Sequence, residues 1–141
     1  MEIKVKYHSD IIPLEFNDRG DWIDLRAAED CKLWAGHQYF IPLGISVELP
    51  EGYEAHIAPR SSSFKKWGII QANSVGVIDN SYCGDNDIWM MPVYATRFAV
   101  IKKNDRICQF RIMKKQPKFD IVTVEHLSND DRGGFGSTGT N

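Results

Sequence analysis

The chain has 141 residues, 43% of them hydrophobic and 11% aromatic, which suits one domain with a modest core and argues against a disordered chain. Its formal net charge is −2 with no basic block, so nucleic acid is not the expected partner, because binding a phosphate backbone needs clustered Lys and Arg. No apolar run approaches the roughly 20 residues of a spanning helix, and Met1 to Asp10 lacks the apolar stretch of a signal peptide. Cys31, Cys83 and Cys108 are odd in number, widely spaced and without a CxxC pair. A reduced, cytoplasmic setting is expected.

Period-2 alternation runs along the chain. Ile3, Val5 and Tyr7 share one face of an opening strand; Ile41, Leu43, Ile45, Val47 and Leu49 repeat the pattern, and Pro50-Glu51-Gly52 turns the chain. Tyr53, Ala55 and Ile57 alternate on the return. Cys108, Phe110 and Ile112 continue the pattern, and Val122 with Val124 closes it. Short strands between Gly, Pro and Asn turns predict an all-β sandwich or barrel. One short helix is predicted within 59–68, where Ser61 and Ser62 offer hydroxyl N-caps and Gly68 a stop. Residues 128–141 are rich in Gly, Ser, Thr, Asn and Asp, the composition of a flexible tail. The domain therefore spans 1–127 and the tail 128–141.

Five segments carry polar chemistry. In Gly76-Val77-Ile78-Asp79-Asn80-Ser81-Tyr82 a β-branched run delivers one carboxylate into a turn, with a phenol three residues later. Such a tip lines a pocket for a flat polar ligand, or is an ordinary polar hairpin turn. Arg60-Ser61-Ser62-Ser63 brings a guanidinium, hydroxyls and backbone N–H groups together, either as an anion site or as a plain N-cap. Asp105-Arg106-Ile107-Cys108-Gln109 puts Ile107 and Gln109 on one strand face. A core-facing Gln must find partners, since an unpaired buried amide costs about 1–3 kcal/mol; the alternative is a half-exposed Gln facing solvent. Asp24 stands among apolar residues and is either an outer ligand of magnesium or the partner of an arginine. Arg132-Gly133-Gly134-Phe135-Gly136-Ser137-Thr138-Gly139 pairs backbone able to approach phosphates with an aromatic able to stack. The four histidines lack any metal or triad context, and no thiol has a neighbouring base in sequence.

In chain order, these five segments resemble the five motifs of trimeric dUTPases, closest to short enzymes of Gram-positive bacteria and their phages. The first is Asp24-Leu25-Arg26-Ala27, the second Pro59-Arg60-Ser61-Ser62, the third Asn73 to Tyr82, the fourth Asp105 to Gln109, and the fifth Arg132 to Gly139. The resemblance implies a distorted jelly-roll β-barrel with one short helix, assembled as a homotrimer whose active sites are shared between chains. It implies hydrolysis of dUTP to dUMP and pyrophosphate with Mg2+, which keeps uracil out of DNA and supplies dUMP for dTTP synthesis. Asp79 would activate the water that attacks the α-phosphate, and Asp24 would reach magnesium through water. Asn73, with the backbone of Gly76, Val77 and Ile78, would read uracil, and Tyr82 would pack under the deoxyribose. Arg60, Ser61, Ser62 and Gln109 would hold the phosphates. Arg132, Gly136, Ser137 and Thr138 would clamp them from the C-terminal arm, with Phe135 stacked on the base. Cys83 stands where the family usually has Arg, Gln or Lys, and two glycines separate Arg132 from Phe135, a short fifth motif. Two other readings share the fold: a dCTP deaminase, and a nucleotide-sensing protein that binds a repressor.

Overall fold

The computed structural model describes residues 1–134 and Gly136. Among them are eleven strands and one helix: β1 (Lys4–Tyr7), β2 (Ile23–Arg26), β3 (Cys31–Leu33), β4 (Gln38–Pro42), β5 (Ile45–Glu48), β6 (Tyr53–Pro59), α1 (Ser63–Trp67), β7 (Ile69–Gln71), β8 (Gly76–Ile78), β9 (Met90–Ala95), β10 (Ala99–Ile101) and β11 (Arg106–Lys114). All ladders are antiparallel. They form a four-stranded sheet β2-β11-β6-β8, a three-stranded sheet β4-β9-β7, and the pairs β1-β5 and β10-β3, the all-β jelly-roll expected. No helix among the described residues is long and apolar enough to cross a membrane.

The core follows the alternation. Ile41, Leu43, Ile45, Val47 and Leu49 are all buried, packed with Trp89, Phe110 and Leu25. They do not share one strand. Gly44, at φ 71°, breaks the run into β4 and β5, which pair with β9 and β1 respectively. A Cβ on Gly44 would lie 3.0 Å from Cβ of Ala28, so a side chain there would be crowded as well as strained by the backbone conformation.

Three expectations are corrected. Ile107 and Cys108 are both fully buried, because the β11–β2 register shifts between Arg106 and Cys108; this bulge puts two neighbouring residues inside. The helix is confined to Ser63–Trp67, and Ser62 at its N-cap makes no side-chain cap. The Ser63 hydroxyl instead ties the helix start to its surroundings, accepting from the Arg60 N–H (3.0 Å) and donating to the Ile107 carbonyl (2.8 Å). Gly68, at φ 64°, ends the helix as expected. Val122 and Val124 form no strand and are 74% and 54% exposed; among the described residues no strand follows Lys114 to pair with them.

Candidate active site

The first, second and fourth segments converge at the β2 edge of the four-stranded sheet. Gln109 of β11 lies in register between Asp24 of β2 and Ala58 of β6. The Arg60 Nε donates to Asp24 Oδ1 at 2.9 Å, and Arg106 Nη1 approaches Asp24 Oδ2 at 3.5 Å. Arg60 Nη1 also donates to the Arg106 carbonyl (3.1 Å). Within the chain, then, Asp24 is the partner of two arginines. Only 19% of its side chain is exposed, so the pair is better insulated from solvent than an ordinary surface ion pair. Gln109 does not face the core; its amide is half-buried and donates to the Pro59 carbonyl (3.0 Å). Ser61 is exposed and Ser62 half-buried at the entry to α1. At five residues that helix carries little dipole, so any anion there relies on Arg60 and local donors.

The third segment occupies the opposite edge. β8 pairs with β6 and not with a following strand: the chain runs from Asp79 through a long loop into β9 of the other sheet. The tip is thus a crossing point and no hairpin turn. Asp79, Ser81 and Tyr82 line an open cleft of about 580 Å³ with Phe40, Val77 and Trp89. Tyr82 donates its phenol to the Ile88 carbonyl (3.1 Å) and stays 40% exposed. Asn80 ties the turn to the barrel by donating to the Pro50 (2.9 Å) and Tyr53 (2.8 Å) carbonyls. Asp79 Oδ2 accepts from both the Ser81 N–H (2.8 Å) and the Ser81 hydroxyl. The hydroxyl bond, then the N–H bond, hold the Asp79 carboxyl below the usual carboxylate range, with a smaller contribution from Lys115. Asn73 sits exposed in the turn before β8, its amide nitrogen 3.3 Å from where a Gly76 Cβ would stand. Gly76 is therefore a close-approach glycine.

The two groups are not brought together. Asp24 is level with Ala58 on β6, whereas Asp79 follows Ile78, which faces Ala55. Three strand spacings separate the edges, roughly 14 Å, with about 13 Å more along β6. Arg132 is exposed beyond the last strand, and Phe135, Ser137 and Thr138 lie outside the described residues. Arg106, Asn80 and Ser81 lie inside the polar segments without a role of their own there, and Trp89 lies outside them. The turn-forming chemistry of Asn and Ser was a usable signal for two of them; nothing marked Trp89, fully buried behind the cleft with its ring edge-on to Phe110 at 5.2 Å.

Two further observations bear on chemistry. No group of three or more His, Cys, Asp or Glu among the described residues is placed to hold a metal. The Cys108 thiol is pushed up by burial and by Asp24, which removes it as a nucleophile.

A family model, dUTPase, matches residues 22–139. The chain is 57% identical, over 99% of its own length and 99% of the relative's, to the SPbeta prophage-derived deoxyuridine 5'-triphosphate nucleotidohydrolase YosS of Bacillus subtilis. A Staphylococcus bacteriophage 80alpha dUTPase mutant with dUpNHpp superposes with a TM-score of 0.80 at 22% identity, covering 98% of each chain. A mutant dUTPase from phage phi11 of S. aureus, described with a structural Mg(II) ion, gives 0.77 at 18% identity over 90% of this chain and 99% of that one. The fold is common to the two solved structures, and the sequence match to the prophage relative spans nearly the whole chain. The chain belongs to the dUTPase family.

Proposed function

We propose that this protein hydrolyses dUTP to dUMP and pyrophosphate at sites shared between the chains of a homotrimer. The observation that carries the reading is the separation of two complementary half-sites on opposite edges of one sheet, in a chain so close to a dUTP nucleotidohydrolase. An acid 20 Å or so from a phosphate-binding cluster does nothing to that phosphate. A second copy presenting its β2 edge to the Asp79 cleft would complete the site.

Asp79 is the group that acts on water. Its lowered pKa keeps it ionised at neutral pH but makes it a weak base, so its main work is to orient the water and accept a hydrogen bond as the O–P bond forms. Water adds at the α-phosphorus, the bond to the bridging oxygen of the β-phosphate breaks, and pyrophosphate leaves while the water's proton passes through Asp79 to solvent. Tyr82 packs under the deoxyribose, and Asn73 with the β8 backbone reads uracil. Arg60, Ser61, Ser62 and Gln109 hold the triphosphate. The donor set at the β2 edge fits magnesium as an outer ligand: one carboxylate, Asp24, already braced by two arginines, suits contact through water. Bound magnesium supplies charge neutralisation of the triphosphate. Residues 128–141, with Arg132, Phe135, Gly136, Ser137 and Thr138, close the site over substrate.

Pyrophosphate release from dUTP, with magnesium and with EDTA, tests this directly, alongside ammonia release from dCTP. Ammonia without pyrophosphate would make the chain a deaminase. A repressor partner is a separate question, addressed by pull-down from host lysate with and without dUTP.

A further inference from the structure

The turn that carries Asp79 contains a contact stronger than its shape requires. An Asx-type turn forms with the Ser81 N–H donating to the carboxylate alone. Here the Ser81 hydroxyl donates to the same oxygen, Oδ2. Both donors of one residue are spent on one oxygen, and Oδ1 makes no hydrogen bond with any described residue. The turn itself is held separately, by the two Asn80 bonds to the barrel and by the Tyr82 N–H donating to the Asp79 carbonyl (3.0 Å). Fixing the loop and fixing the carboxylate are therefore distinct tasks, done by neighbouring residues.

We propose that Ser81 is a positioning residue for the hydrolysis: its hydroxyl locks the Asp79 carboxylate in one rotamer, leaving Oδ1 as the oxygen that receives the attacking water. This rests on the reading of Asp79 as the water-activating acid. An exposed carboxylate on a free rotor samples several orientations, and one extra charge-assisted bond removes that freedom. The same bond stabilises the ionised form. Lys115, after β11, also favours it and is untouched by any change at Ser81; Tyr82 is the other titratable group of the cleft; on β6, Glu54 and His56 pair with each other at 2.6 Å.

The test compares wild type, Ser81→Ala, Ser81→Thr and Asp79→Asn, each as the full chain. Ser81→Ala is expected to lower kcat about five- to tenfold with KM within twofold. Its Asp79 carboxyl, followed by carbon-13 NMR in the nucleotide-free protein, should titrate at higher pH than in wild type. Ser81→Thr, which keeps the hydroxyl, should restore both. A wild-type kcat in Ser81→Ala overturns the proposal. So does a lower kcat with an unmoved Asp79 titration or without rescue by Thr, since either is what loop damage alone would give. Asp79→Asn separates the two levels: if it remains active, the parent reading fails; if it is inactive while Ser81→Ala is normal, only the role of Ser81 fails.

Discussion

The two edges of the four-stranded sheet are built on opposite plans. At the β2 edge, Asp24 is locked between Arg60 and Arg106, Gln109 is tied to a backbone carbonyl, and Asp24, Arg60 and Gln109 are half-buried. At the β8 edge, a single exposed carboxylate stands at the mouth of an open cleft, held by one neighbouring serine. On the proposed reading the first arrangement suits binding, because charges already paired and an amide already held would lose little freedom on taking up a triphosphate. The second suits reaction, because a carboxylate with an unengaged oxygen can meet water. On the proposed reading, placing them on far edges keeps one chain from using both and would couple activity to assembly.

The sharpest way to break this comparison is Asp79→Asn. It keeps the shape of the β8 tip and removes its charge. Turnover should fall by about 10²–10⁴-fold while a non-hydrolysable dUTP analogue still binds, measured by steady-state kinetics and calorimetry. More than half the wild-type rate would sink the division of labour.

Mixing is next in size. Asp79→Asn chains combined with chains truncated after Leu127 should regain a measurable fraction of activity, because some sites would draw each intact part from a different chain. Absence of rescue, in trimers shown by mass to contain both chains, would count against shared sites.

At the β2 edge, Arg60→Ala should raise KM for dUTP about tenfold and change kcat less, since a charge-assisted contact to a phosphate is worth about 1.5–3 kcal/mol. A larger fall in kcat than rise in KM would move Arg60 from the binding edge to the reacting one.

A smaller effect separates the arm from a plain tail. Cleavage near Arg132 should slow several-fold when a non-hydrolysable analogue and magnesium are added; equal cleavage, with full activity of the truncated chain, would reduce residues 128–141 to a loose end.

The smallest effect is one of pH. The folded Asp79 pKa is lowered, so its ionised form is retained as pH falls from neutral through the ordinary Asp value of about 3.9 and is lost only below that. Its contribution to stability is correspondingly present above the unfolded value and lost as pH falls through the folded one. An Asp79 carboxyl titrating above the ordinary value in the nucleotide-free protein would contradict the Ser81 contacts.

The sequence by itself determined the fold class, the buried residues of the 41–49 run and the identity of the polar segments. Alternation at Ile41 to Leu49 reports burial directly, because side chains on a strand alternate between core and solvent. The same logic failed at Ile107 and Cys108, where a bulge puts consecutive residues inside, and at Val122 and Val124, whose pattern needs a ladder that the described residues do not offer them. Tertiary structure alone decided that Asp24 faces two arginines, that Gln109 answers to Pro59, and that Asp79 lies a sheet's width from both. Those facts depend on register and sheet order, which are set by contacts between residues far apart in the chain, and local pattern carries no record of them.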